Sequence, residues 1–256
     1  MIHTIGQYVL DLTRHVRSAL SFLLKTFLVL FSTRLKVKHC IAQMKHIGVS
    51  SFPVIFLTGL AAGLGIALQT YVGMSRFGGQ DYIGIVVAIA MTRELAPVLT
   101  GLMVMARAGS AMTAELGTMK ITEQIDALKT LDINPFQYLV TPRFIAGIII
   151  LPMLTVIAML CGILGGYYYS TYGLGLNSEF YLEKVYTNVE LSDITGGLLK
   201  GCFFGFIIAW IGSFYGYTTE GGARGVGFST TKSVVVGCLL ILFANYLLST
   251  ILFPAY

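Results

Sequence analysis

Long apolar runs separated by short polar segments set the pattern of this chain. A helix needs about 20 mostly apolar residues to cross the hydrocarbon core of a bilayer. Five runs reach that length, over residues 51–73, 82–108, 144–168, 194–215 and 233–253. Helices are the predicted form, because a segment in lipid must satisfy its backbone polar groups internally. A β-barrel would show short alternating segments instead.

The first 48 residues read differently. Residues 18–31 are apolar but too short to span, and Lys25 interrupts them. Arg14, Arg17, Ser18, Ser21 and Lys25 recur at spacings of three and four, opposite Leu20, Leu23, Leu24, Phe27, Leu28 and Leu30. Such paired stripes predict an amphipathic helix lying in the membrane interface. A signal peptide is not expected: the apolar run starts late, lacks a small-x-small site and is followed by Arg34, Lys36, Lys38 and Lys45.

Basic residues in the loops set the orientation. Arg14, Arg17, Lys25, Arg34, Lys36, Lys38 and Lys45 precede the first span, and Arg76 alone follows it. Lys120, Lys129 and Arg143 follow the second span, and Lys184 follows the third among several acids. Arg224 and Lys232 follow the fourth. Rich and poor loops alternate, which predicts a cytoplasmic N-terminus and a C-terminus at Tyr256 on the far side of the membrane. The predicted fold class is an all-α integral membrane protein, one domain over 1–256. An interfacial segment (1–48) leads into a five-span bundle (49–256), with a short cytoplasmic helix between the second and third spans.

Composition agrees. Hydrophobic residues make up 55% and charged residues 11%, against about 25% charged in soluble domains. A soluble fold this poor in charge would expose apolar patches that monomers do not tolerate. The net charge of +5 is small and unevenly placed, so it bears on topology and does not point to nucleic acid. Cys40, Cys161, Cys202 and Cys238 have no zinc or redox spacing. The four histidines all precede the first span without metal-ligand spacing, so no metal or cofactor is expected. No GxxxxGK[ST], HExxH or GxSxG motif occurs. Energised work would need a partner to supply the chemistry.

Three features remain as candidates. Small residues recur every fourth position at Gly197, Gly201, Gly205 and Ala209, and at Ala106, Ser110 and Ala114. These faces suit close helix packing, either inside the bundle or between subunits. Arg93 and Glu94 sit inside the second span, followed by Pro97, and Gln69 sits inside the first. Each charge at a bilayer centre costs about 2.5–3.5 kcal/mol on insertion scales. They read either as an ionic lock between helices or as a polar lining. Adjacent residues point about 100° apart on a helix, so Arg93 and Glu94 need not pair with each other. Thirdly, Thr122, Glu123, Gln124 and Asp126 predict a helix start, and Ile121, Ile125 and Leu128 form one apolar stripe ending at Asn134-Pro135. This short helix either rests on the membrane or docks a cytosolic partner.

The run RELAPVLTGLMVMARAGSAMTAELGTMKITEQIDALKTLDINPFQYLVTPRF, residues 93–144, resembles the signature of the MlaE permeases. These are the membrane subunits of ABC transporters associated with Mce-domain proteins. The likeness extends over most of the chain, and Ala96 departs from the glycine more usual there. The resemblance implies a homodimer bound to two cytosolic ABC ATPase subunits. It also implies a periplasmic ring of Mce-domain protein and a small STAS-domain protein on the ATPase. The implied activity moves phospholipid between inner and outer membranes and maintains outer-membrane lipid asymmetry, with the permease itself non-catalytic. On that template Gln69, Arg93 and Glu94 line or brace a lipid cavity. The segment 122–131, with Glu123, Ile125, Asp126 and Leu128, couples to the ATPase. The competing classes are a secondary transporter or channel using the Arg93/Glu94 site, and a scaffold that only anchors an Mce assembly. No inverted repeat favours the former, and a scaffold would not need charges inside the membrane.

Overall fold

A computed structural model describes residues 2–32 and 37–254. Arg34, Lys36 and Tyr256, used above to orient the chain, lie outside the described residues. All regular structure among the described residues is helical. Among the described residues eight helical elements follow one another: α1 Ile2–Ser32, α2 Val37–Phe77, α3 Gln80–Ile121, α4 Gln124–Thr130, α5 Phe136–Gly173, α6 Ser178–Asn188, α7 Leu191–Tyr217 and α8 Gly222–Leu252.

The five predicted spans lie in α2, α3, α5, α7 and α8. Three of these helices run well past the apolar stretches. The 42 residues of α3 correspond to about 60 Å at 1.5 Å per residue, twice a hydrocarbon thickness of about 30 Å. Hydropathy marks the lipid-matched stretch, while the hydrogen-bond ladder continues into the flanking polar residues. A sixth stretch, Thr13–Ser32 in α1, is also long and apolar enough to cross a membrane. Lys25 does not interrupt its helix.

Helices α2, α5, α7 and α8 pack as neighbours in that order, and α3 lies across the row. Glycine allows the closest approaches. A Cβ on Gly165 would lie 2.7 Å from the Leu60 carbonyl oxygen, and one on Gly147 2.7 Å from that of Gly205. A Cβ on Gly201 would meet Thr155 Oγ1 at 2.9 Å. The glycine face of α7 is therefore used up inside the bundle, Gly201 and Gly205 against α5 and Gly197 against both α5 and α3. The second small-residue stripe, Ala106, Ser110 and Ala114, faces outward on α3.

Ile47, Ile55, Met91, Val104, Phe204 and Ile241 centre the main core. A second core joins Phe22 of α1 to Val140, Phe144 and Phe214. Trp210 Nε1 donates to the Ala19 carbonyl at 3.2 Å, and the ring of Phe27 stacks on Phe206 at 5.9 Å. One face of α1 is thus docked on α7, while Leu20, Leu24, Leu28 and Phe31 stay exposed.

Candidate functional site

The site is a cluster of four charges where α3, α7 and α8 meet. Arg93 and Glu94 lie in a π-helical turn of α3, Met91–Leu95. The wider turn is a form common at functional positions. The two side chains diverge, as their spacing requires. Arg93 Nε donates to Asp193 Oδ1 at 2.7 Å. Asp193 sits in the first turn of α7, where it also accepts from the Glu190 backbone N–H at 3.1 Å in a capping box.

Glu94 faces α7 and α8. Lys200 Nζ donates to Glu94 Oε1 at 2.9 Å, to the Arg93 carbonyl at 2.7 Å and to Ser249 Oγ at 2.8 Å. An ammonium group has three protons, so Lys200 is fully satisfied, and its side chain is 0% exposed. Asn245 Nδ2 donates to Glu94 Oε2 at 2.8 Å, and Ser249 Oγ lies 2.7 Å from Glu94 Oε1. The Phe253 ring lies 4.9 Å from the Arg93 guanidinium carbon and 5.3 Å from Lys200 Nζ. Both contacts fall within cation–π range.

Breaking one half of such a pair in a dry interior leaves an uncompensated charge, so the network ties three helices together. Its outer edge is open. The Arg93 side chain is 37% exposed, and its two terminal nitrogens have no protein partner among the described residues. The cluster lies nearer the Gln80 end of α3 than the Ile121 end, so it is displaced from the middle of the helix.

Sequence reasoning found Arg93 and Glu94 and missed both of their partners. Lys200 was legible as a lone cation in an otherwise apolar run. Asp193 lay just outside the predicted fourth span and read as a loop acid. Gln69 is exposed on α2 and makes no hydrogen bond to this network among the described residues.

The 122–131 segment differs from expectation in its length, at both ends and in its packing. Its helix is shorter, Gln124–Thr130. Glu123 takes the left-handed conformation at φ 58° with no side-chain cap, and Thr122 Oγ1 donates back to the Thr118 carbonyl at 2.8 Å. The chain leaves α4 through Asp132, also at φ 58°. Asn134 instead stands just before α5, its Oδ1 accepting from the Phe136 N–H at 2.9 Å. The apolar stripe turns inward: Ile125 is fully buried against Leu116 and Leu139, and Leu128 packs beside it. Ile125 therefore fastens α4 to its own bundle and offers nothing to a partner. Glu123, Gln124, Ala127 and Leu131 form the exposed surface.

Asp126 pairs with Lys129 at 2.6 Å and Lys120 at 3.1 Å. The bonds from Lys129, then Lys120, hold its carboxyl below the usual range, and Asp126 in turn raises Lys129. Beneath α4, Arg143 donates to Glu115 Oε2 at 2.9 Å and to the Leu139 carbonyl at 2.7 Å. No group of three or more metal-ligating side chains occurs among the described residues.

The Permease MlaE family model matches residues 40–251. A probable ABC transporter permease protein of Rickettsia prowazekii is 40% identical over 251 residues, 98% of this chain and 97% of its own length. One of Rickettsia typhi is 46% identical over 211 residues, 82% of each chain. The intermembrane phospholipid transport system permease protein MlaE of Haemophilus influenzae is 34% identical over 255 residues, 99% of this chain and 98% of its own. With its signature run reaching from α3 through α4 into α5 and a likeness that spans nearly its whole length, the chain belongs to the MlaE permease family.

Proposed function

We propose that this chain is the non-catalytic permease subunit of an ABC transporter that moves phospholipid between the inner and outer membranes, so maintaining outer-membrane asymmetry. On this reading it sits in the inner membrane as a homodimer, with its N-terminus cytoplasmic and its C-terminus periplasmic. A cytosolic ABC ATPase, carrying a small STAS-domain protein, drives it through α4. A periplasmic Mce-domain protein receives or delivers the lipid.

The observation that carries the reading is the half-open ionic network. Lys200 is fully buried within it, while Arg93 keeps two guanidinium nitrogens available beside Asp193. A guanidinium presents a planar fork suited to phosphate. A lipid headgroup passing this point exchanges water for those donors, which lowers the barrier to moving it past hydrocarbon. Asp193 fixes the guanidinium when no headgroup is there. Gln69, on the exposed side of α2, is proposed as a further polar lining residue of the same route.

The placement of α1 supports five spans. Phe22 of α1 packs on Phe136, with ring centroids 5.1 Å apart, and His39 of α2 packs on Tyr138 at 4.8 Å. Both α1 and the start of α2 therefore reach the same end of α5, as a helix lying along one interface would.

The test is reconstitution of the purified permease with its ATPase in liposomes, followed by ATP-dependent transfer of a labelled phospholipid to an acceptor. Arg93→Lys, which keeps a cation beside the buried Asp193 but removes the planar fork, is expected to assemble normally and to lower transfer severalfold. Full transfer by this variant rejects the role given to Arg93. No copurifying ATPase under several gentle detergents rejects the ABC reading in favour of a secondary transporter.

A further inference from the structure

Helix α3 carries a second arginine in the setting of the first. Two of its turns are π-helical, Met91–Leu95 and Met105–Gly109. Each has an arginine at its third position, in the runs MTREL and MARAG. Fourteen residues separate Arg93 from Arg107, about 20 Å along a helix rising 1.5 Å per residue.

The partners differ. Arg93, Arg143 and Lys200 each have a carboxylate. Arg107 is exposed and has no acidic, aromatic or hydrogen-bonding partner for its side chain among the described residues. It stands on the outward face of α3 among Met103, Ala106 and Ser110, opposite the buried Val104, Met105, Ala108 and Gly109. Ser110 turns its hydroxyl to its own helix, donating to the Ala106 or Arg107 carbonyl at 2.6 or 2.8 Å.

Depth follows from the packing of α3 on α7. A Cβ on Gly109 would lie 3.4 Å from Ile208. Two residues further along α7, Trp210 donates to the Ala19 carbonyl of α1, the helix read above as lying in the membrane interface. Arg107 is thus an unneutralised guanidinium at the level where lipid headgroups begin. An ionised side chain at this depth needs a counter-charge or water, and the abundant anion there is the phosphate of a phospholipid.

We propose that Arg107 is an anion-binding station for a phospholipid phosphate, at the opposite end of α3's outward face from Arg93. This deepens the lipid-transport reading and rests on it. The chemistry required is a phosphate oxygen pair, and the small side chains at Ala106 and Ser110 leave room for it.

Arginine modification by phenylglyoxal, read by peptide mass spectrometry on the full-length permease, tests this without the ATPase. In delipidated detergent micelles Arg107 is expected to react. Added phosphatidylglycerol or phosphatidylethanolamine should slow its modification at least fivefold, while equimolar inorganic phosphate should not. Native mass spectrometry should show Arg107→Gln retaining fewer phospholipids than wild type and Arg107→Lys falling between. Unchanged reactivity on adding either lipid overturns the proposal. Equal protection by inorganic phosphate alone overturns the lipid source and leaves a free-anion site. Protection in lipid-free protein that disappears on dissociation to monomers assigns Arg107 to a subunit contact and overturns it too. Loss of ATP-driven transfer in the reconstituted complex tests the functional reading separately, because the labelling needs neither ATP nor a partner.

Discussion

Lys200 has all three ammonium protons engaged and no exposure to solvent, so replacing it strands Glu94 against Ser249 and Asn245. Losing one member of a buried pair costs about 3–5 kcal/mol. Glu94 is partly exposed and can recruit water, so Lys200→Met is expected at the lower end of that range. The measurement is thermal unfolding of the purified protein in detergent. Adding Glu94→Gln should restore most of the lost stability, because the stranded charge is gone; a double variant no more stable than Lys200→Met alone would refute the pairing. This part of the site was half legible. Arg93 and Glu94 stood out because charges in an apolar run are conspicuous. The pairing was not legible, because Asp193 and Lys200 are about a hundred residues away in sequence and only the packing of α7 on α3 brings them near.

At the scale of the element, α4 shows how a correct pattern led to an incorrect surface. Ile125 and Leu128 form the predicted apolar stripe, but a period of 3.6 says only that a face is buried, not what covers it. Here Leu116 and Leu139 of the same chain cover it. Ile125→Ala should therefore lower stability by about 2–4 kcal/mol, as a large-to-small change in a core does. Leu131 is 70% exposed, and Leu131→Asp should leave stability unchanged while reducing ATPase copurification. If Leu131→Asp binds the ATPase normally and Ile125→Ala is as stable as wild type, α4 is neither packed nor used as described. The glycine face of α7 is the opposite case, where four-residue spacing read correctly as close packing and only the structure could name α5, with α3 at Gly197, as the partner. A leucine at Gly205 would collide with the Gly147 backbone. Overpacking of this kind costs about 1–3 kcal/mol or more. Gly205→Leu should lower the unfolding temperature of the monomer itself, whereas a dimer defect at unchanged thermal stability would put this face between subunits.

At the scale of the whole molecule, six helices are long enough to cross a membrane, and the alternating basic loops fix the sense of the last five but not that of α1, whose first twelve residues carry no lysine or arginine. Hydropathy alone does not separate a spanning helix from one lying along the surface, because both need an apolar face of similar length. The distinction rests on where the ends go. Phe22, midway along α1, and His39, at the start of α2, both pack near the start of α5, which is the arrangement expected of a helix lying along one surface. Thr13→Cys and Val37→Cys, each in a background with the four native cysteines replaced by serine, provide the test. With α1 along the cytoplasmic interface, a membrane-impermeant thiol reagent added outside spheroplasts should label neither, and both should react in inverted vesicles. Tyr172→Cys, in the turn at the far end of α5, should show the reverse. If Thr13→Cys is labelled from outside while Val37→Cys is not, α1 crosses the membrane, the N-terminus is periplasmic and the protein has six spans.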